Sequence, residues 1–404
     1  MNTLFILFFI FIVFGVGYFL YFKINPSKSS NIKELYSEGL DMLVSGKRFS
    51  AYNNFKEIIE KDSNNVMAYL RLGQILRENG NNVKAIKVHK NLLLRKKLTS
   101  YELIELHKNL SQDYYNIDNK KESIAECKKI LMIDKKNEWA IRQIIQLYKE
   151  NNDWSNAEKY LNVYYDEFPD KKDKRKIALY KVHQAKNEIK NKDYNQSRLD
   201  LDEALKLDNE NSIIYFFMAK TYSEESNLIY EKSQEVEEKG LDKYGNQESY
   251  NNYIKEAKEL LSKAVPLWTH FCEISPNKSW LVLPLLKDAL FALDRYSELV
   301  QILIKLNEKF PENIEILISL ADYYSHKGEF DKSLEIIEIA IDKDNESYLA
   351  QLIKIKLQLE KENNDKQSKT LDFLNNSLMK NERFQILNTS NNYKEIKTLF
   401  NIDE

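Results

Sequence analysis

Two cysteines and five histidines are the residues of this 404-residue chain that could ligate a metal or serve as nucleophile and base. A thiolate zinc or iron site gathers its ligands about 2.3 Å from one ion. Cys127 and Cys272 form no C-x-x-C pair, and no H-E-x-x-H sets two imidazoles on one helix face. No G-x-x-x-x-G-K offers backbone amides to a phosphate, and no G-x-S-x-G lifts a serine onto a sharp turn. Aspartates and glutamates are abundant, but lysines stand three or four positions away from them, as on solvated helix faces. The expectation is no enzyme, with no catalytic residue, no cofactor and no metal ligand.

What positions such residues must be helical. The 60 basic and 62 acidic side chains leave a net charge of -2, which excludes a broadly basic nucleic-acid binder. Apolar content of 43% suffices for a core, and two cysteines exclude a disulfide scaffold. Only 9 glycines and 6 prolines argue against an all-β chain and for an all-α one.

The run Leu4 to Phe22 carries no charge. As a helix it would span about 28 Å, close to the hydrocarbon core of a bilayer. Bulky residues fill its far end, where a signal peptidase needs small ones, so an uncleaved anchor is expected. Lys23, Lys28 and Lys33 follow it, which predicts the N-terminus outside and the bulk of the chain in the cytoplasm of a bacterial inner membrane.

The remainder repeats. Small residues that let two helices touch recur at Ala51, Ala85, Ser123, Ala157, Ser197, Ala257 and Ser333, with Leu299 in one repeat. The intervals 51→85, 123→157 and 299→333 are each 34 residues, the tetratricopeptide period. Around them apolar residues recur at i, i+3, i+4 and i+7. Eight helix pairs begin near Ile32, Val66, Ile104, Glu138, Ala178, Ser212, Trp280 and Ile314, with a degenerate ninth from Ser347. The expected packing residues are Gly39, Ala51, Gly73, Ala85, Tyr114, Ser123, Tyr148, Trp154, Ala157, Ala185, Tyr194, Ala204, Ala219, Tyr222, Ala257, Ala321, Tyr324, Phe330 and Ala340. His89, His107 and Cys127 fall on the same packing faces and read as satisfied core residues; Cys272, beside Trp268 and Phe271, reads likewise. The predicted organisation is an anchor at 1–23, a linker at 24–31, repeats over 32–222, a charged insertion at 223–255, later repeats over 256–346, and a degenerate repeat with tail at 347–404. The predicted fold is an α-solenoid, a right-handed superhelix of helix pairs.

Two stretches depart from the pattern. The fifth repeat has Lys181, Gln184 and Glu188 where apolar residues are usual, which predicts either a shifted helix face or a polar stretch of groove. In the sixth, a charged segment separates YFFMAKTY (215–222) from EAKELLSKAV (256–265), which predicts longer helices and a surface loop. Pro266, Pro276 and Pro284 follow, and proline this dense bends helices, which predicts a change of superhelix direction there.

The segment LRLGQILRENGNNVKAIKVHKNLLLRKKLT (70–99), after an anchor, resembles the lipopolysaccharide assembly protein B family. That family's G-x-x-x-R-x-x-G-x-x-x-x-A-I-x-x-H-x-x-L stands here as Gly73, Arg77, Gly80, Ala85, Ile86, His89 and Leu92. The resemblance covers the anchor and roughly residues 32–222. It implies a cytoplasm-facing adapter that helps a membrane AAA protease degrade the deacetylase committing lipid A synthesis. The family ends in a rubredoxin-like metal knuckle of two C-x-x-C pairs, whereas no cysteine follows Cys272 here, so a metal-free chain is expected.

Stacked helix pairs offer a concave surface suited to an extended or helical peptide. The function expected is thus a membrane-tethered adapter binding protein partners in its groove, with no nucleic acid. The alternative is a general scaffold for another membrane complex, in secretion, division or motility.

Overall fold

The computed structural model describes residues 28–95, 97–240, 246–345 and 347–362. The anchor expected at 1–23, and the expected tail beyond residue 362, lie outside them. Among the described residues no helix is long and apolar enough to cross a membrane. The described part consists of seventeen α-helices and two short 3₁₀ turns, without a strand.

One local rule builds most of the helix pairs. A residue in left-handed backbone stands at 46, 80, 118, 152, 192, 294 and 328, each five positions before a contact residue at 51, 85, 123, 157, 197, 299 and 333. Glycine fills three of these turns, with φ between 72° and 78°. Asp118, Asn152, Lys192 and Asp294 fill the others with φ of 56–62°, and only Asp and Asn among non-glycine residues tolerate that region readily. The contact residue then meets the first helix of its own pair. Where it is serine, its hydroxyl donates to the carbonyl twelve residues earlier: Ser123 to Ser111 at 2.9 Å, Ser197 to Ala185 at 3.0 Å, Ser333 to Ala321 at 2.6 Å. Asx side chains open the helices, as Asn65 accepting from the Ala68 amide and Asn137 from the Ala140 amide.

The chain divides into two compact units at Lys172. The first contains α1 (Lys28–Val44), α2 (Arg48–Lys61), α3 (Val66–Glu78), α4 (Asn82–Leu92), α5 (Ser100–Tyr115), α6 (Lys120–Ile133), α7 (Glu138–Glu150) and α8 (Trp154–Glu167). They pair in order, and α3 also packs on α5. Helix α1 begins at Lys28, inside the stretch expected as linker. Ala51, Phe55, Ile58 and Ile75 are fully buried in the first pairs, and Leu106, Leu110, Cys127 and Ile130 in the later ones.

The second unit contains α9 (Lys174–Lys190), α10 (Tyr194–Leu207), α11 (Ser212–Glu238), α12 (Asn246–Ile274), α13 (Leu283–Ala292), α14 (Tyr296–Lys309), α15 (Ile314–His326), α16 (Phe330–Lys343) and α17 (Tyr348–Glu362). The charged segment of the sixth repeat lengthens α11 and α12, and residues 241–245 between them lie outside the described ones. At this hairpin the serine contact reverses: Ser226 on the first helix donates to the Ala257 carbonyl on the second, at 2.7 Å. Two of the three prolines stand at the starts of elements. Pro276 opens a 3₁₀ turn and Pro284 sits in the first turn of α13, where a missing N–H costs nothing. Pro266 lies inside α12, which runs on through it because Val265, Trp268, Phe271 and Cys272 anchor that turn in the core.

Ala157 tests the register. It is fully buried at the α7–α8 contact. Ala157→Leu is expected to overpack that junction and cost roughly 1–3 kcal/mol. A melting curve unchanged from the parent would refute the placement.

Candidate functional site

The first helices of successive pairs touch one another in the first unit, so α1, α3, α5 and α7 share one face. Arg71 Nε on α3 lies 3.5 Å from Tyr36 Oη on α1. Lys108 on α5 sits 5.2 Å over the Trp139 ring of α7, and Tyr115 Oη donates to Glu150 at 3.2 Å. On this face Gln74, Gln112 and Gln146 hold equivalent places, each eleven positions before the contact residues Ala85, Ser123 and Ala157. Gln74 accepts from Arg71 at 2.9 Å and donates to Glu78 at 2.9 Å, while Gln146 donates to Glu150 at 3.0 Å. The face thus presents a row of amides flanked by aromatic rings and by charges of both signs. At its far end Lys171, Tyr164 and Arg142 converge on Glu138, and these hydrogen bonds hold its carboxyl at about 2.

Behind the row lies a buried ion network that holds α3, α4 and α5 together. Asp113 is fully buried. Arg77 Nη1 donates to its Oδ1 at 2.8 Å, and His89 Nδ1 lies 2.5 Å from its Oδ2. His89 Nε2 faces the Leu70 carbonyl at 3.2 Å, so both ring nitrogens face acceptors. Arg77 also reaches the Asn109 carbonyl at 3.4 Å and its side-chain oxygen at 3.3 Å. Gly73 makes room for the imidazole: a Cβ there would stand 2.2 Å from His89 Nε2. The spaced Gly73, Arg77, His89 motif is therefore one interlocked packing device. Next to it, burial opposes the charge of Glu126, but hydrogen bonds from His107 and Lys129 outweigh this and lower its carboxyl below the usual range.

The expected packing residues fall as follows. Ala51, Ala85, Ser123, Ala157, Ala185, Ala204, Ala219, Ala321 and Ala340 are fully buried, and Trp154, Tyr114, Tyr194, Ala257 and Tyr324 nearly so. Gly39 lies against the Phe55 ring, where a Cβ would stand 2.8 Å from it. Tyr148, Tyr222 and Phe330 are half-buried. Cys127 and Cys272 are buried in different units, and burial pushes their thiols up to about 11 and about 12. Among the described residues no group of three or more His, Cys, Asp or Glu is placed to hold a metal.

Sequence reasoning missed Asp113, Glu126 and Asp200, which it placed with the other carboxylates on solvated faces. A signal was available for the first. Leu106, Leu110, Asp113 and Tyr114 follow the i, i+4, i+7, i+8 spacing of a buried stripe.

In the fifth repeat the apolar face is shifted. Ala178, Leu179, Val182, Ala185 and Ile189 enter the core, leaving Lys181, Gln184 and Glu188 at its margin. Glu188 Oε2 is buried with no donor facing it, and burial together with neighbouring Asp200 raises its carboxyl to about 8. In the unfolded chain the same group titrates near 4.5. The folded state thus keeps a proton that the unfolded state releases, so this contribution is complete below about 4.5 and is lost as pH rises toward 8. Melting temperature is expected to fall between pH 5 and pH 8, and Glu188→Gln to reduce that fall. An equal fall in the variant would refute the assignment.

Helical hairpins following one another, with one face of first helices in the first unit, define the class, a helical-repeat fold. More narrowly, a family model described as tetratricopeptide repeat matches residues 54–87. Lipopolysaccharide assembly protein B of Escherichia coli strain K12 is 22% identical over 133 residues, 33% of this chain and 34% of that protein, so about a third of the relative's length is spanned. Among solved structures, the MamA protein aligns with a TM-score of 0.34 at 15% identity, over 45% of this chain and 94% of its own. YrrB, a TPR protein with an unusual peptide-binding site, aligns at 0.33 and 11%, over 46% and 95%.

Proposed function

We propose that the chain is a membrane-tethered adapter whose α1, α3, α5 and α7 face captures a segment of a protein partner. The observation carrying this reading is the row of Gln74, Gln112 and Gln146 beside Tyr36, Trp139 and Tyr115. Side-chain amides donate and accept at once, so a row of them suits the alternating N–H and C=O of a peptide backbone. Aromatic rings beside it offer anchors of the kind that dominate binding energy.

The tether is the apolar run Leu4–Phe22, with the N-terminus outside an inner membrane and the repeats in the cytoplasm. Confinement beside the bilayer raises the effective concentration of membrane partners. The finer reading is regulation of lipopolysaccharide-type envelope lipid synthesis through a membrane AAA protease. Its support is the Gly73, Arg77, His89 motif and the 22% match to lipopolysaccharide assembly protein B.

The test is co-purification from detergent-solubilised membranes. The parent chain is expected to bring down an AAA protease, and the Gln74→Ala, Gln112→Ala, Gln146→Ala triple variant to lose it with an unchanged melting temperature. Recovery of a secretion, division or motility complex instead would replace the lipid reading. Equal recovery of partners by parent and variant would move the site off this face.

A further inference from the structure

Helices alternate in direction, so the starts of α1, α3, α5 and α7 and the ends of α2, α4 and α6 share one rim of the first unit. Lys61 Nζ at the end of α2 donates to Asn31 of α1 at 3.1 Å, and Arg95 after α4 donates to the Ser63 carbonyl before α3 at 2.8 Å. This rim carries large apolar side chains that no described residue covers: Leu94 is 81% exposed, Met132 82% and Tyr101 63%, with Leu93 and Ile133 beside them. Leu94 and Met132 are not scattered. Each stands nine positions after its contact residue, Ala85 or Ser123, so adjacent repeats present them side by side. The same position holds Glu60 and Asp166 in the flanking repeats, which confines the apolar pair to the middle of the unit.

The charges around the pair are sorted. Asp62 and Asp134 turn into their own loops, accepting from the Asn64 amide at 3.0 Å and the Lys136 amide at 3.1 Å. Arg95 lies 4.6 Å over the Tyr69 ring, while Lys97 and Lys135 are exposed. Exposed Leu, Met and Tyr among outward lysines form a surface complementary to a bilayer with anionic headgroups. Tyrosine in particular settles at that interface.

The chain preceding the rim says which surface would cover it. Only residues 23–27 separate Phe22 from α1, and at most about 3.6 Å each they keep this rim within roughly 20 Å of the apolar run. The opposite rim also exposes apolar side chains, Val44, Phe49 and Val83, but it is a helix length further along, so proximity to the apolar run is what separates the two rims.

We propose that the Leu94, Tyr101, Met132 rim rests on the anionic leaflet beside the anchor, so that the first unit is held against the membrane by two attachments. This rests on the tether reading above. The outcome is a fixed orientation: the rim of Leu94 faces lipid and the rim of Val83 faces away.

The test uses the full chain in vesicles of phosphatidylcholine with phosphatidylglycerol. A nitrobenzoxadiazole label is placed at Leu94→Cys, at Met132→Cys or, on the opposite rim, at Val83→Cys. All three positions are exposed, and the native thiols are buried with raised pKa, so the label enters at the new cysteine. Nitroxide-bearing lipid is expected to quench the labels at 94 and 132 several-fold more than the label at 83. Equal quenching at all three, in a chain that floats with the vesicles, would overturn this inference and leave the tether standing. A chain that does not float would overturn the tether and this inference together. Blue-shifted emission at 94 that depends on protein concentration in detergent alone would assign the patch to a second copy and also overturn it.

Discussion

Asp113→Ala is expected to destabilise the first unit by about 3–5 kcal/mol, the usual loss when one partner of a buried ion pair is removed. The fully buried carboxylate accepts from Arg77 at 2.8 Å and faces His89 at 2.5 Å. Without it, a guanidinium that is almost wholly buried and a fully buried imidazole would face each other with no counter-charge between them. The loss should concentrate where the network ties α3, α4 and α5 together. Peptide-resolved hydrogen exchange is the suitable measurement, because two units need not melt as one. Protection should collapse over residues 66–115 and hold in α15 and α16. A loss below about 1 kcal/mol, the level of an exposed ion pair, would mean that water reaches the network.

Gly73→Ala should cost about 1–3 kcal/mol, although alanine is the better helix former by about 1 kcal/mol. The added methyl would meet His89 Nε2 at 2.2 Å, closer than any real contact, and the imidazole cannot retreat without leaving Leu70 and Asp113. The cause can be isolated with a double-mutant cycle. In a His89→Ala background the clash partner is gone, and Gly73→Ala should become neutral or stabilising. If the substitution costs the same with and without the ring, the steric explanation is wrong. Gly80 offers a contrast, since a Cβ there meets nothing and only its φ of 78° resists substitution.

The repeat period was legible because it rests on small residues, and a small residue at a helix crossing leaves a mark in the sequence. Ala51, Ala85, Ser123 and Ala157 can be read without coordinates. The turns were half legible. Gly46, Gly80 and Gly328 announce a left-handed residue, whereas Asp118, Asn152, Lys192 and Asp294 do so only once the five-residue offset is known. The ion network was not legible, because Asp113 differs from a solvated aspartate only in what lies across from it on α3 and α4. Arg77 and His89 stood in a recognisable motif, but motif spacing along the chain does not say which carboxylate they share. The amide row became visible only when three turns on three helices could be aligned by their contact residues. The anchor and the tail fall outside the described residues.

The fixed offset between turn and contact residue has an evolutionary side. A copying error that duplicates one whole period carries its turn, its contact residue and the spacing between them, so the new hairpin arrives with instructions to close on itself. A shorter slip inside a pair separates turn from contact and leaves a helix with no partner face. In the α11–α12 hairpin the left-handed residue, Gly240, stands seventeen positions before the contact residue Ala257 instead of five, and this is the pair that has lengthened, to 27 and 29 residues. Growth was tolerated at the hairpin freed from the ruler, while its neighbours kept time.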